Sequence, residues 1–276
     1  MNQIELKTNY LIDRAFRGAD LNNRSRAILE KRFGLKAPEI FTLQELGNEY
    51  GVSRERIRQI EERGLKKIQD ELKKNAEMEA IVEFIKNYLS FHGGLKRRDL
   101  LVYEFYCLFR PDNEQDIFGN ELRFIYEALQ YPYFAREDEH YYDFWYLEEE
   151  IYQKMRLVQK GLIQRLKRVE HFEKILSQLV QRHNITEPTA MNYLSVSKRF
   201  GVGPYGDIGL MDWEEINPKT VRAKIYLELK RSGKSMHFTE IARLINCHTA
   251  TVHNELIKDK RFKLVGRGIY ALEFYQ

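Results

Sequence analysis

The sequence predicts a mainly α-helical protein, with a helix-turn-helix near its start followed by winged-helix-like modules that carry small β-hairpins. Three observations support this fold class. Short amphipathic segments begin at capping residues and end at glycines. Pairs of short apolar segments flank turn residues, as they do in hairpins. The order of helices and hairpin recurs along the chain, which favours three tandem modules, although a helical linker bundle remains the alternative for the middle.

The first helix of the helix-turn-helix is predicted by its two ends. Asn22 and Asn23 offer an N-cap, and the residues that follow begin an apolar stripe at helical spacing. Gly34 stands where a glycine commonly ends a helix. We therefore expect a helix between these positions.

Two further helices follow around a short turn. Thr42 is placed to cap the second helix, with Glu45 at the capping-box position. Gly51 begins a tight turn, and Ser53 then caps the third helix. Two helices joined by three or four residues that include glycine are typical of a helix-turn-helix.

The third helix separates an apolar face from a polar one. At about 100° per residue, the apolar face holds Ile57, Ile60, Gly64 and Ile68. The polar face, near the start of the helix, holds Arg54, Glu55, Arg58, Gln59 and Glu62. Arg and Gln make bidentate contacts with guanine and adenine, and Glu accepts from cytosine. A solvated charged face is the alternative that the residue types alone leave open.

Three segments of this region carry a family resemblance, namely Arg26–Leu35, Thr42–Gly47 and Val52–Glu61. Together they resemble region 4 of housekeeping-type bacterial sigma factors, which reads the −35 promoter element and touches the flap of RNA polymerase. The resemblance covers about 50 residues, and no candidate is found for the sigma region that melts DNA. It implies two roles: base reading by Arg54, Glu55, Arg58 and Gln59, and phosphate contact by Thr42 and Arg56.

The last 60 residues predict a winged helix. Gly266 and Gly268 flank Arg267, which places Arg267 at the tip of the wing. The predicted elements are a helix over Val221–Lys230, a strand at His237–Phe238, a helix over Thr239–Ile245, a helix over Thr251–Ile257 capped by Thr249, and strands over Arg261–Val265 and Ile269–Leu272.

Two pieces of this region, Leu229–Ile241 and the segment from Val252 to the final hairpin, resemble the HARE-HTH domain. That winged helix also occurs in the delta subunit of bacterial RNA polymerase and in some chromatin and restriction proteins. The family is thought to bind DNA or protein partners, and the resemblance covers about residues 217–273. We predict a second DNA contact formed by His253, Arg261, Lys263 and Arg267.

The middle of the chain repeats the same order of elements less clearly. The first repeat has helices over Glu79–Leu89, Arg98–Phe109 and Glu121–Gln130, then a hairpin with strands over Tyr133–Arg136 and His140–Tyr146. The second repeat has helices near Ile151–Val169, His171–Gln181 and Thr189–Phe200, then a wing over Val202–Trp213. The predicted domains are residues 1–75, 76–150, 151–215 and 216–276.

Charge alternates along these domains. Residues 1–75 carry 16 Lys and Arg against 12 acidic residues, residues 76–150 carry 7 against 17, and residues 151–276 carry 22 against 12. Two basic sections around an acidic one fit a protein that holds nucleic acid at both ends. Ordinary solvated helix faces explain the charge equally well when it is taken alone.

Composition excludes other classes of protein. Of 276 residues, 43% are apolar, which is enough for packed cores. Cys107 and Cys247 are too few for a disulfide framework. No apolar run reaches the roughly 18 residues of a membrane helix, and the start lacks a signal-peptide pattern. We expect a cytoplasmic protein without membrane contact.

Candidate sites for other chemistry are weak. The segment Gly201–Gly206 spells G-x-G-x-x-G, but no helix is predicted after it, so a turn is expected rather than a nucleotide site. Cys247, His248 and His253 lack the spacing of a zinc site. The sequence therefore predicts no metal, no cofactor and no enzymatic activity.

The predicted function is DNA binding in transcription, at a promoter or operator and in association with RNA polymerase. Double-stranded DNA is the expected partner, and the oligomeric state stays open. Two alternatives remain at this point. One is a DNA-sensing module of a restriction or defence system, and the other is a protein that binds polymerase without touching DNA.

Overall fold

The computed structural model describes residues 7–109, 111 and 114–273. Within them the chain forms thirteen helices and nine strands. The helices are α1 (Thr8–Gly18), α2 (Asn23–Phe33), α3 (Leu43–Tyr50), α4 (Arg54–Lys73), α5 (Ala76–Phe91), α6 (Arg98–Phe109), α7 (Gln115–Leu129), α8 (Glu149–Arg165), α9 (Phe172–His183), α10 (Glu187–Ser195), α11 (Val221–Ser232), α12 (Phe238–Leu244) and α13 (Thr249–Lys258). The strands are β1 (Leu95–Arg97), β2 (Tyr133–Ala135), β3 (Phe144–Tyr146), β4 (Glu170–His171), β5 (Phe200–Val202), β6 (Asp207–Leu210), β7 (Met236–His237), β8 (Phe262–Gly266) and β9 (Ile269–Leu272).

One order of elements, namely helix, strand, two helices and hairpin, occurs three times after α4. We call these the first winged module (α5 to β3), the second (α8 to β6) and the third (α11 to β9). Each forms a three-stranded antiparallel sheet whose last strand lies in the middle, in the orders β1-β3-β2, β4-β6-β5 and β7-β9-β8. The predicted fold class, a helix-turn-helix followed by winged modules, is confirmed.

These elements fall into two compact units. The first consists of the described residues up to Lys160 together with Leu179–Ser197, and the second of Gly161–Gln178 together with the described residues from Lys198 onward. Helix α10 therefore belongs to the first unit, and the sheet of the second winged module to the second unit. The predicted domain boundaries at residues 75, 150 and 215 stay predictions.

A large core holds the first unit together, with side chains from α1, α2, α4, α5, α6 and α7. Phe124 of α7 is fully buried at its centre. Its ring stacks on Phe16 at 5.5 Å between centroids and meets the edge of Phe33 at 5.0 Å. Helix α7 therefore packs directly on the helices of the N-terminal region.

Helix α4 takes part in two cores. Ile57, in its first half, is fully buried against Ile28 and Leu46 in a small cluster of the helix-turn-helix. Ile68 and Leu72, in its second half, belong to the large core. One continuous helix of 20 residues thus links the helix-turn-helix to the rest of the unit.

The third winged module has a separate core in the second unit. Its buried residues include Ile225 of α11, Ile241 of α12 and Val252 of α13, which pack against Phe262 and Tyr270 of the hairpin. Helix α13 begins at Thr249, and the residue at its N-cap is His248, so the prediction that Thr249 caps this helix is wrong.

Other boundaries in the middle differ from the sequence prediction. The second strand of the first hairpin begins at Phe144 rather than His140, because the Asp138 carboxylate accepts hydrogen bonds from the amides of His140 and Tyr141, both at 2.7 Å. These bonds hold a local turn instead of a strand. Phe200, predicted at the end of a helix, starts β5 instead.

The sequence analysis did not predict two short strands and one helix. Strands β1 and β4 have three and two residues, too few to show an alternating pattern. Helix α1 was also not predicted, although Leu11, Ile12, Ala15 and Phe16 form a buried stripe at helical spacing. That stripe is the signal that would have identified it.

Candidate nucleic-acid interface

Side-chain caps fix the first helix of the helix-turn-helix as predicted. The Asn22 carboxamide oxygen accepts a hydrogen bond from the Ser25 amide at 2.8 Å. Gly34 follows the last residue of α2 with a φ of 65°, the left-handed conformation that glycine adopts without strain. Both ends of α2 are therefore set by the residues that the sequence indicated.

The turn between α3 and α4 is also built as predicted. Thr42 and Glu45 form a reciprocal capping box, with distances of 3.2 Å and 2.7 Å. The Ser53 hydroxyl accepts from the Arg56 amide at 3.1 Å and so caps α4. At Gly47, a Cβ would lie 2.8 Å from the carbonyl oxygen of Val52. This position therefore requires glycine, a constraint that the capping pattern did not reveal.

The apolar face of α4 packs inward as expected. Ile57, Gly64 and Ile68 are buried, and Ile60 is partly buried. A Cβ on Gly64 would lie 2.7 Å from a methyl group of Leu29, so α2 and α4 approach each other closely at this glycine. Packing thus fixes which side of α4 faces outward.

We call the outward residues Arg54, Glu55, Arg58 and Gln59 the reading face. The first three are exposed, and Gln59 is half-buried. The Arg58 guanidinium holds both carboxylate oxygens of Glu55, through Nε at 2.8 Å and Nη2 at 2.7 Å, and its Nη1 donates to Glu62. The pKa of Glu55 is lowered mainly by its hydrogen bonds from Arg58.

These ion pairs hold Arg58 along the helix surface. Its side chain is 46% exposed, and solvent screens exposed ion pairs of this kind so that they add little to stability. Arg58 can therefore exchange its carboxylate partners for a base edge at small cost, and Glu55 is then free to accept a hydrogen bond from a cytosine amino group.

The two residues predicted to contact phosphate flank this face. Arg56 is exposed, and its Nη1 donates to Gln59 at 3.3 Å. The exposed Thr42 hydroxyl accepts the capping bond with its oxygen, which leaves its hydrogen able to donate. Both side chains have donors that suit a phosphate oxygen.

Asn120 of α7 positions the helix-turn-helix from the neighbouring module. It is 3% exposed, and its Nδ2 donates to the carbonyl oxygens of Gly34 at 3.3 Å and Pro38 at 3.5 Å. These carbonyls belong to the loop between α2 and α3. Sequence reasoning missed Asn120, because no local pattern marks a contact 86 residues away.

In each winged module, the helix just before the hairpin is the second of two helices, and the three modules differ in how far this helix is exposed. The second helix is the one that enters the major groove in helix-turn-helix proteins. Helix α7 has nine buried residues, and α10 packs on β1 and buries five residues. Helix α13 buries only Val252 and Leu256. Its exposed residues are Thr249, Ala250, Thr251, Asn254, Ile257 and Lys258.

The four residues predicted for a second DNA contact fall into two pairs. Lys263 and Arg267 are exposed on the last hairpin. Arg261 is partly buried, and its guanidinium pairs with Asp259 at 2.8 Å and Glu214 at 3.2 Å. His253 lies between aromatic rings, with its centroid 5.0 Å from that of Phe238 and 6.2 Å from that of Tyr270.

The structure therefore leaves Lys263 and Arg267 exposed, whereas Arg261 and His253 have partners within the second unit. The segment Gly201–Gly206 forms the end of β5 and the turn before β6, as expected for turn residues rather than a nucleotide site. Among the described residues, no three His, Cys, Asp or Glu side chains are grouped to hold a metal ion. No helix in this part of the chain is long and apolar enough to cross a membrane.

Comparison with known proteins bears on the N-terminal region. Residues 19–70 match the family described as sigma-70, region 4. The chain is 50% identical over 50 residues to the RNA polymerase sigma factor SigA4 of Synechococcus elongatus, which covers 18% of this chain and 16% of that protein. It is 46% identical over 56 residues to the RNA polymerase sigma factor RpoH of Rhizobium radiobacter, which covers 20% and 18% respectively.

The chain thus covers less than a fifth of the length of these curated relatives. No solved structure matches it. Residues 19–70 are therefore similar to a DNA-binding domain of sigma factors, which act in transcription initiation.

Proposed function

We propose that the protein is a DNA-binding transcription protein that reads a promoter or operator with α4 and associates with RNA polymerase. The observation that carries this proposal is the reading face. It lies on the exposed side of a capped and well-packed helix, within the segment that matches sigma-70 region 4. A helix presented in this way suits insertion of its N-terminal residues into the major groove.

Sequence-specific binding is tested with Arg58→Ala on duplexes first selected from a random pool. Loss of a bidentate base contact lowers affinity for the selected duplex by about 1–3 kcal/mol and relaxes discrimination at one base pair. Arg56→Ala instead weakens binding to every duplex and reduces the salt slope by about one unit, because it removes a phosphate contact.

Arg14→Ala is the matched control, since Arg14 is an exposed arginine of α1 outside the helix-turn-helix. It is expected to bind as the unchanged protein does. Equal losses for Arg58→Ala on selected and scrambled duplexes contradict base reading by α4.

Association with polymerase rests on the sigma-factor match of residues 19–70 and is tested by co-purification with the core enzyme. Since the matched segment lacks the sigma region that melts promoters, we expect binding without open-complex formation unless another sigma factor is present. Promoter melting by this protein and core polymerase alone contradicts that expectation.

The remaining candidates predict different results. A HARE-type role for the third winged module in a DNA-sensing system is favoured by the exposed side of α13, and it predicts DNA binding without co-purification with polymerase. A protein that binds polymerase only predicts co-purification with no duplex selected from the pool. Footprinting with and without polymerase separates the three.

A further inference from the structure

The hairpin of the third winged module is uniformly basic. Residues 260–272 contain four basic and no acidic residues. Three of them are exposed: Lys260 lies before β8, Lys263 stands on β8 and Arg267 lies in the turn to β9. Gly268 completes that turn with a φ of 70°. We call β8, β9 and the residues between them the third wing.

A bulge places two apolar side chains beside this charge. Leu264 pairs with Tyr270, but Gly266 pairs with Ile269, so Val265 is an extra residue in β8. A bulge breaks the alternation of a strand. As a result, Leu264 and Val265 are both outside, 60% and 52% exposed, whereas a regular strand would turn one of them inward.

The other two hairpins lack this combination. The loop of the first hairpin carries Glu137, Asp138 and Glu139 in succession. The turn of the second hairpin, Gly203–Gly206, has no charged residue. Among the described residues of the three hairpins, only the third wing combines two adjacent exposed apolar side chains with exposed cations beside them.

We propose that Leu264 and Val265 act as a wedge that enters the minor groove of DNA and partly unstacks one base step, while Lys263 and Arg267 contact the flanking phosphates. This inference rests on the proposed function, because it assumes that the protein binds duplex DNA. The positive charge of the third wing favours DNA, which is negatively charged, as the partner. A narrow basic hairpin fits a groove lined by phosphates, and leucine is among the side chains that proteins insert between base pairs.

The wedge has a mechanical consequence for the duplex. Insertion of apolar side chains from the minor groove kinks DNA by about 20–90° toward the major groove. The third wing thus bends the DNA that it contacts and does not read its sequence. Sequence selection stays with α4.

The experiment uses the full chain and a selected duplex in which 2-aminopurine replaces one base at a time. Unstacking raises 2-aminopurine fluorescence, and dyes at the duplex ends report the bend by energy transfer. The unchanged protein is expected to raise fluorescence at one step and to shorten the end-to-end distance. Leu264→Ala combined with Val265→Ala loses both signals and keeps the salt slope.

Two control proteins complete the design. Val202→Ala removes an equally exposed valine, 57% accessible, from β5 of the second hairpin and leaves both signals unchanged. Lys263→Ala combined with Arg267→Ala lowers the salt slope by about two units, because two phosphate contacts are lost.

The wedge is refuted if the unchanged protein raises fluorescence at no position, or if the Leu264 and Val265 double variant gives the same signals as the unchanged protein. Binding of an acidic protein that depends on Leu264, with DNA bending intact in the double variant, refutes it as well. Failure of the proposed function looks different, since no duplex is then selected and Arg58→Ala has no effect.

Discussion

In the first winged module α7 buries nine residues, whereas in the third module α13 buries two. The two modules share one order of elements and one sheet topology. Helix α7 is apolar on several sides and packs against α1, α2 and α4, so its surface is used inside the protein. Winged-helix topology alone therefore does not present a helix to DNA. The distribution of apolar residues around that helix decides.

The hairpins of the two modules differ in the same direction. The first carries Glu137 and Glu139 in its loop, and the third carries Lys263 and Arg267. A phosphate backbone repels the first loop and attracts the third wing. The first module thus packs its helix against the helix-turn-helix, and the third leaves both its helix and its basic hairpin exposed.

The largest expected effect comes from truncating a ring in α7. Phe124→Ala is expected to lower the free energy of unfolding by about 3–5 kcal/mol, because the ring is fully buried. The counterpart in α13, Ile257→Ala, removes a side chain that is 64% exposed and changes stability by less than about 0.5 kcal/mol. Urea denaturation of both variants measures the two changes in unfolding free energy. Similar losses of stability in both would contradict the difference in burial between α7 and α13.

A second pair of variants compares asparagines on the same two helices. Asn120→Ala removes the donor to the carbonyl of the buried Gly34, and to that of Pro38, at a cost of about 1–3 kcal/mol. It also lowers DNA affinity, since the loop before α3 loses its anchor. Asn254→Ala, at an exposed position of α13, leaves stability unchanged. DNA affinity is measured at a temperature where the Asn120→Ala protein is still folded. Unchanged affinity there would show that this anchor is dispensable for DNA binding.

Lys96 of β1 is expected to make the stability of the first module depend on pH in the alkaline range. It is 4% exposed and pairs with Glu104 at 2.8 Å, and burial lowers its pKa to about 8 from an ordinary value of 10.5. Between these values the unfolded chain binds more protons, so this group makes stability rise with pH. We expect the unfolding free energy to rise relative to Lys96→Met by at most about 1.4 kcal/mol per pH unit.

Denaturation of both proteins from about pH 7.5 to about pH 10 measures this slope. A constant difference across that range means that Lys96 titrates normally. Lys86→Met is the control, since Lys86 is an exposed lysine of α5 in the same module and should leave the slope as it is.

The third module has a smaller pH dependence of the same sign, at acid rather than alkaline pH. Hydrogen bonds from Arg261 lower the pKa of Asp259 below its ordinary 3.8. The pair therefore stabilises the fold above that value, and its contribution disappears as the pH falls through the lowered pKa. Asp259→Asn is expected to cost about 0.2–1 kcal/mol at neutral pH and nothing in strong acid. A cost that persists at low pH would assign the effect to packing.

Local signals predicted much of the helix-turn-helix. Asn22, Thr42 and Ser53 act within three residues of themselves, so the sequence alone specifies these caps. The reading face followed from helical spacing, because Ile57 and Ile68 fix the buried side. Whether these residues contact bases stays a prediction.

Long-range packing accounts for what the sequence did not show. The Asn120 contact joins segments that no local pattern connects, and the burial of α7 depends on which helices lie beside it. A hint was present, since Phe118, Leu122 and Phe124 do not share one narrow stripe, and a helix that is apolar on several sides is typically buried. Of the two carboxylates that hold Arg261, Glu214 is 47 residues away and no local pattern indicated it, whereas Asp259 is only two residues away and its pairing was overlooked.

Helix α4 belongs to two cores at once, and this has a consequence for local fluctuations. Its backbone hydrogen-bond ladder continues from the cluster around Ile57 to the core around Ile68. The N-terminal end of α4 can unfold locally only if the hydrogen bond from the Ser53 cap breaks. The C-terminal half can unfold only together with the large core of the first unit. Amide hydrogen exchange along the inward side of α4 should therefore occur in one cooperative step with the unit, so that a duplex meets a preorganised reading helix rather than one that folds on contact.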